Sequence, residues 1–466
     1  MKRCLTILAL LWFVTGCQPQ TLRVNPPLAE QGEAFLYINP FPQEAGRLRF
    51  SLENVSAVRE DGTEYPLSLF LPELHNDAVK RQRQFAAGVL PPGNYLGLSF
   101  KVKAATLLDE EGVPQNLLLP KTGVRVDSPF IITRKKATLL SLAFNFERSV
   151  REGFAFTLAF TITVPGKPVT GLVGYVSNYA SNTLTVFDKQ YKQVVGVIAT
   201  GGGPRGIAID QQRRRAYVAL AGEDAVEVVD MAAGEIINRI KLKPADAPQE
   251  IALTPDGRLL ISVNTGSNKV SFMDPLSFLE LKRIDVGDTP SSILIDPAGV
   301  RAYVFNSLST SISVIDIANM AVATVLPSEP GLSRGQFNRR GDVLYTIHEL
   351  SAYLRLINPF SLAVLQRYQV GMGMTSLKVD TATDLIYAGK KYDRQIQVYE
   401  PSAFIPIASI RTDGGTLYMT IDGEENNLYV LGANATLQVV NLVSREVIAE
   451  LDVGEEPFRV SLIGER

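Results

Sequence analysis

The chain has 466 residues, 46 of them Lys or Arg against 48 Asp or Glu, a formal net charge of −2, and 46% hydrophobic residues. That balance excludes a basic nucleic-acid stripe and a disordered polyanion, and the length is enough for more than one domain with its own core. Two Cys and two His leave little material for a metal cage, a thiol relay or a disulfide framework.

Met1, Lys2 and Arg3 give a basic start, an apolar run of 11 residues extends from Cys4 to Val14, and Thr15, Gly16 and Cys17 follow. The run is too short to span a bilayer permanently and suits a cleaved export signal over 1–16. The sequence Val-Thr-Gly-Cys ending at Cys17 resembles the bacterial lipobox. The resemblance implies that Cys17 carries diacylglycerol as the first residue of the mature chain, and Gln18 after it implies the outer membrane. An ordinary signal peptide with an incidental Cys is the alternative. Cleavage removes Lys2 and Arg3, which takes the net charge from −2 to −4, together with Cys4 and Trp12. One Cys then remains, so no internal disulfide forms and core packing must hold the fold. Residues 17–33, with Pro26 and Pro27, read as the lipidated Cys and a tether.

Residues 34–165 read as an antiparallel β-sandwich. Strand candidates are Ala34 to Ile38, Leu48 to Val55, Tyr65 to Leu71, Gln84 to Leu90, Tyr95 to Ala104, Val124 to Val126, Phe130 to Ile132, Ala137 to Phe146 and Phe154 to Val164. They are short, rich in β-formers and separated by turns such as Pro91, Pro92, Gly93, Asn94. Leu90 to Tyr95 (Leu-Pro-Pro-Gly-Asn-Tyr), with Leu98 to Phe100 and Leu139 to Phe146, resembles the DUF4382 type of exported β-sandwich. Residues 166–172 form a short linker.

From 173 to 466 one phrase returns. It occupies Tyr175 to Asn178, Tyr217 to Leu220, Ile261 to Asn264, Tyr303 to Asn306, Tyr345 to His348, Tyr387 to Lys390 and Tyr429 to Gly432, at steps of 42, 44, 42, 42, 42 and 42 residues. Each unit holds four short strands with Asp, Asn, Gly and Pro between them, and no helical spacing long enough for ankyrin, tetratricopeptide or HEAT repeats. This predicts a seven-bladed β-propeller. The first unit lacks an innermost strand, whereas the C-terminal stretch Gly454 to Ile463 offers a spare one, so the C-terminal strand is expected to close the ring. The fold class is therefore all-β. Tyr175 to Asn178, Tyr303 to Asn306 and the strand ends at Asp188, Asp230, Asp274 and Asp316 resemble the YVTN β-propeller repeats of prokaryotic surface proteins, which implies a scaffold rather than a reaction.

Few residues point to chemistry. His75 and His348 fall in different domains, so neither a His cage nor a Ser-His-Asp relay assembles. Gly201 to Gly206 satisfies G-x-G-x-x-G formally, but a strand follows it rather than a helix, which removes the phosphate mechanism. Asp188, Asp230, Asp274, Asp316, Asn358, Glu400 and Asn441 recur at third-strand ends on separate blades and read as turn caps rather than calcium ligands. No catalytic residue, metal or cofactor is expected.

The loops around one mouth of the channel offer the binding candidates Asn178, Arg205, Asn264, Asn306, Arg334, His348, Lys390 and Arg394. These features predict a lipid-anchored protein of the cell envelope, held at the outer membrane through its lipid and facing the periplasm or the surface. Its propeller mouth would bind an envelope protein or polysaccharide; nucleic acid is excluded. The alternatives are a propeller enzyme, lactonase-like or a cofactor-dependent oxidoreductase, and a glycan-binding protein using exposed aromatics of the sandwich, with Tyr65, Tyr95 and Phe130 as candidates.

Overall fold

A computed structural model describes residues 25–466; Cys17 and the export signal lie outside them. Among the described residues no helix is long and apolar enough to cross a membrane.

Residues from Val173 onward form seven four-stranded antiparallel sheets, one per blade. The innermost strands of blades two to seven are Pro204–Asp210, Pro248–Leu253, Pro290–Ile295, Leu332–Phe337, Met374–Val379 and Thr416–Asp422. Blade one takes its innermost strand from the C-terminus, where Pro457–Leu462 pairs antiparallel with Val173–Asn178. This closure completes blade one and leaves no gap between the first and last blades.

The repeated phrase works through its first residue. Tyr175, Tyr217, Ile261, Tyr303, Tyr345, Tyr387 and Tyr429 are all buried, and each packs in an apolar cluster between neighbouring blades. Two hydroxyls reach out of their own blades: Tyr217 donates to the Pro275 carbonyl at 3.4 Å and Tyr303 to that of Pro359 at 3.1 Å. Asp188, Asp230, Asp274, Asp316, Asn358, Glu400 and Asn441 each accept a backbone N–H two or three residues ahead, so the recurring polar group caps the turn into the fourth strand.

A buried clasp joins the two ends of the ring. Lys189 of blade one is fully buried; its ammonium lies 3.2 Å from Asp422 of blade seven and donates to the Ile463 carbonyl at 2.8 Å. Beyond it the C-terminal tail crosses the far ends of the innermost strands of blades seven and six. Arg466 N–H donates to the Ile421 carbonyl, and Glu465 pairs with Lys378 at 3.0 Å.

The N-terminal domain differs from two separate antiparallel sheets. It is one ten-stranded sheet that curls over a single core, with Glu64–Leu69 pairing on both sides and carrying the sheet from one half to the other. One pair is parallel, Gly32–Ile38 against Ala137–Phe144. The two candidates near 124 and 130 are one strand, Val124–Ile132, and the candidate from 154 divides into Ala155–Phe156 and Phe160–Thr163.

This domain sits against the outer strands of blades one and seven. Phe35, Tyr37, Ala87 and Leu139 share an apolar cluster with Val194, Val197 and Leu451. Arg81 pairs with Glu450 and Asp452 at 2.6 Å each, and Arg83 with Asp452 at 2.8 Å. Gln82 completes the joint as a strand would: its carboxamide accepts from the Val194 N–H at 2.8 Å and donates to the Val194 carbonyl at 3.3 Å.

Candidate functional site

In each blade a backbone N–H of the loop after the second strand donates to a carbonyl of the loop entering the innermost strand. The donors are Tyr179, Ala221, Gly266, Ser307, Glu349, Lys391 and Ala433. The two sets of loops are thereby tied into one rim. Asn25 crosses the same rim at blade one, its N–H donating to the Ala180 carbonyl at 3.0 Å, so the described chain begins on the mouth face.

The residues predicted at the mouth divide there. Asn178, Asn264, Asn306 and His348 are fully buried and do not open onto it. They end their strands with the side chain turned into the blade, where hydroxyls of the next strand hold it. Asn178 donates to Thr183 and Thr185 at 3.1 and 2.9 Å, Asn264 to Ser271 at 2.8 Å, and Asn306 to Ser311 and Ser313 at 3.1 and 3.0 Å. His348 bonds Ser328 through Nε2 at 3.0 Å and the Tyr353 carbonyl through Nδ1 at 3.2 Å. Burial holds its imidazole below the ordinary value, so it is neutral near pH 7. These four are internal locks of their blades. Lys390 is half-buried, and Arg394 is exposed on the blade-six loop. Arg205 and Arg334 do reach the mouth. In the N-terminal domain, Tyr95 and Phe130 stack at 5.2 Å inside the core, which removes them from the proposed glycan face.

The mouth itself is built by the innermost strands. Six of the seven carry a bulge just after their first residue, as the breaks in register at Pro248, Pro290, Leu332, Met374, Thr416 and Pro457 show; blade two breaks between Pro204 and Ile207. The bulge re-aims the next two side chains. Gln249, Ser291, Ser333, Thr375, Leu417 and Phe458 come to line a cavity of about 410 Å³, together with Arg334, Glu349, Leu350 and Lys391.

Three cations stand below this rim. The Arg334 guanidinium lies 4.7 Å from the centre of the Tyr418 ring, and Arg459 lies 4.9 Å from the same ring. Arg459 pairs with Glu250 at 2.6 Å. Burial opposes the Arg459 charge, but the Glu250 carboxylate outweighs it and holds the guanidinium's pKa up. Gly206 makes room for that carboxylate, since a Cβ there would stand 2.5 Å from a Glu250 oxygen. Arg205 packs between Tyr179 and Phe458, at 4.4 and 5.1 Å, and donates to Gln249 at 2.9 Å.

Arg334 has no such partner. Among the described residues its side chain makes no hydrogen bond and no ion pair, and its buried Nε lacks an acceptor. Burial, helped by the nearby charge of Arg459, pushes its pKa down, with Tyr418 and the carboxylates of Glu250 and Glu349 offsetting this in part. A second cavity, of about 550 Å³, lies between the N-terminal domain and blades one and two. Most of its charges are paired: Arg239 with Glu223 and Glu227, Arg134 with Glu30, and Lys136 with Glu235 at 2.7 Å, while Lys135 is exposed. No three His, Cys, Asp or Glu among the described residues stand together as metal ligands.

No family model matches the chain, and no curated protein matches it in sequence. Solved structures match it in fold. Hydrazine synthase of Kuenenia stuttgartiensis is similar with a TM-score of 0.53 at 18% identity, over 58% of this chain and 93% of that one. The dihydro-heme d1 dehydrogenase NirN, solved in complex with DHE, is similar with a TM-score of 0.50 at 15% identity, over 62% of this chain and 66% of that one. At such identities the likeness shows the propeller fold alone. The fold recurs in many of the 1654 solved chains that match, so what this protein does must be argued from its own mouth.

Position in the sequence placed Arg205 and Arg334 at the mouth but gave no reason to choose Glu250, Leu417, Tyr418, Phe458 or Arg459. The signal that finds them is the repeat itself. Each stands one or two residues after the start of an innermost strand, and setting the units in register brings these positions into one ring.

Proposed function

We propose that the protein is a binding protein of the cell envelope, anchored through lipid at Cys17, that recognises an envelope macromolecule with the mouth of its propeller. The lipobox-like sequence before Cys17, Gln18 after it and the YVTN-like repeats support the address at the outer membrane. The observation that carries the binding role is the half-buried Arg334, a charge with unused donors on the wall of a cavity that mixes polar and apolar side chains. Natural folds pair their buried cations unless something else is to pair with them, as this propeller does for Lys189, Lys378 and Arg459.

The test is crosslinking in intact cells followed by recovery of the tagged protein, comparing the wild type with a variant carrying Leu350→Asp and Lys391→Glu. A stoichiometric partner lost in the variant supports the mouth as the recognition surface. A partner recovered equally with both forms would place recognition elsewhere. Replacing Cys17 by Ala is expected to release the protein from membranes; a variant that stayed with them through a salt wash would contradict the lipid anchor.

A further inference from the structure

We propose that the mouth cavity is a carboxylate site: it takes an apolar molecule or chain end bearing one carboxylate, which pairs with Arg334. This rests on the reading of the mouth as the recognition surface and names what the mouth recognises.

Four observations converge on that chemistry. The Arg334 guanidinium is held over Tyr418 at 4.7 Å, so its planar fork is oriented before a ligand arrives, and a planar fork with free donors fits a carboxylate through two parallel bonds. The charge count then selects one negative charge. Among the side chains lining the cavity Arg334 and Lys391 face one carboxylate, Glu349, a balance of one positive charge that opposes a dianion such as phosphate; Arg459 behind them is paired with Glu250, and Arg205, which does not line the cavity, is engaged by Gln249 and two aromatic rings. Leu332, Leu350, Leu417 and Phe458 add apolar lining to the same cavity. Outside it, Met372 and Tyr392 are 60% and 87% exposed on the two loops joined by the Lys391 N–H and the Gly373 carbonyl, which adds apolar surface beside the rim, with the Lys391 ammonium 5.6 Å from the Tyr392 ring. A cavity of about 410 Å³ also falls in the range of small-ligand pockets, about 300–1,000 Å³.

A free organic acid and the C-terminal end of an envelope protein offer the same chemistry, and titration calorimetry on the full chain separates them. The probes are 4-phenylbutyrate and its amide, N-acetyl-Leu-Phe as acid and as amide, and inorganic phosphate. Both acids are expected to bind, with each amide weaker by roughly tenfold or more, since a charge-assisted pair is being removed. Arg334→Gln should weaken the acids by a similar factor without lowering the melting temperature, whereas Lys282→Gln, exposed on the outer strand of blade three, should leave them within about twofold. Tighter binding of the dipeptide acid than of phenylbutyrate identifies a chain end as the ligand; the reverse order identifies a free acid. Equal binding of acid and amide, phosphate binding as tightly as the acids, or no effect of Arg334→Gln would overturn the carboxylate site. Failure of every acid while the crosslinked partner is still lost from the Leu350 and Lys391 variant overturns this site alone and leaves the mouth as the recognition surface.

Discussion

Arginines stand both at the joint between the domains and at the mouth of the channel, and the two regions treat them differently. At the joint, Arg81 and Arg83 converge on Glu450 and Asp452, and Asp452 also accepts the Gln84 N–H at 3.0 Å. At the mouth, Arg205 has one amide partner and two aromatic faces, and Arg334 has a ring and no acceptor. The first arrangement fixes one piece of protein on another. The second leaves donors in place for something the chain does not supply. Pairing, rather than the presence of a cation, therefore separates structural charge from recognition charge.

Several substitutions would break or sharpen this contrast. The largest effect is expected at the clasp, the most buried of the matched pairs. Asp422→Ala removes the fully buried carboxylate from the fully buried ammonium of Lys189, and about 3–5 kcal/mol of stability should be lost in a urea melt. A loss under about 1 kcal/mol would mean that the Ile463 carbonyl and the exposed Glu424, 3.5 Å away, satisfy Lys189 between them.

At the joint, Asp452→Ala removes the carboxylate partner of the half-buried Arg83 and one of the two that hold Arg81, Glu450 remaining. Partial exposure discounts the cost to about 2–3 kcal/mol, and limited proteolysis should now cut between the domains. Resistance equal to that of the wild type would show that the apolar contacts of Phe35, Tyr37 and Leu139 hold the joint alone.

A smaller, pH-dependent effect is expected at His348. Burial holds its imidazole below 6.5, so the folded state resists a proton that the unfolded chain accepts. Its contribution is complete above 6.5 and is lost as the pH falls below that value. Blades one, three and four carry Asn at the matching position, as Asn178, Asn264 and Asn306. His348→Asn should therefore keep the fold and flatten the loss of stability below pH 6.5, read from melts across the pH range. An unchanged slope would assign the loss to other groups.

The propeller was legible because its information is periodic. One buried Tyr per blade, replaced by Ile261 in blade three, one turn cap per blade and a spare C-terminal strand were each visible in the chain and each lie where the period puts them. The N-terminal domain was less so. Its strands were placed to within a few residues, but nothing local announces that Glu64–Leu69 pairs on both sides or that Gly32–Ile38 runs parallel to Ala137–Phe144.

The candidate site was legible only in part, for a reason of pleat and bulge. Asn178, Asn264, Asn306 and His348 end strands at the mouth face, so their place along the chain was right while their side chains turn into the blade. Arg334 sits after a bulge that changes which way the next residues point, and a bulge leaves no mark in a single repeat. The pairing of Arg459 with Glu250, from blades one and three, joins positions far apart in sequence and needed the closed ring to be seen.

The most direct measurement follows one variant, Arg334→Met, in two ways: its stability without ligand, and its affinity for 4-phenylbutyrate. If Arg334 is held for a ligand, removing an unpaired, desolvated charge should change stability by no more than about 0.5 kcal/mol, or raise it, while affinity falls roughly tenfold or more. A loss of stability comparable to that of Asp452→Ala, with affinity unchanged, would make Arg334 another structural arginine and contradict the account.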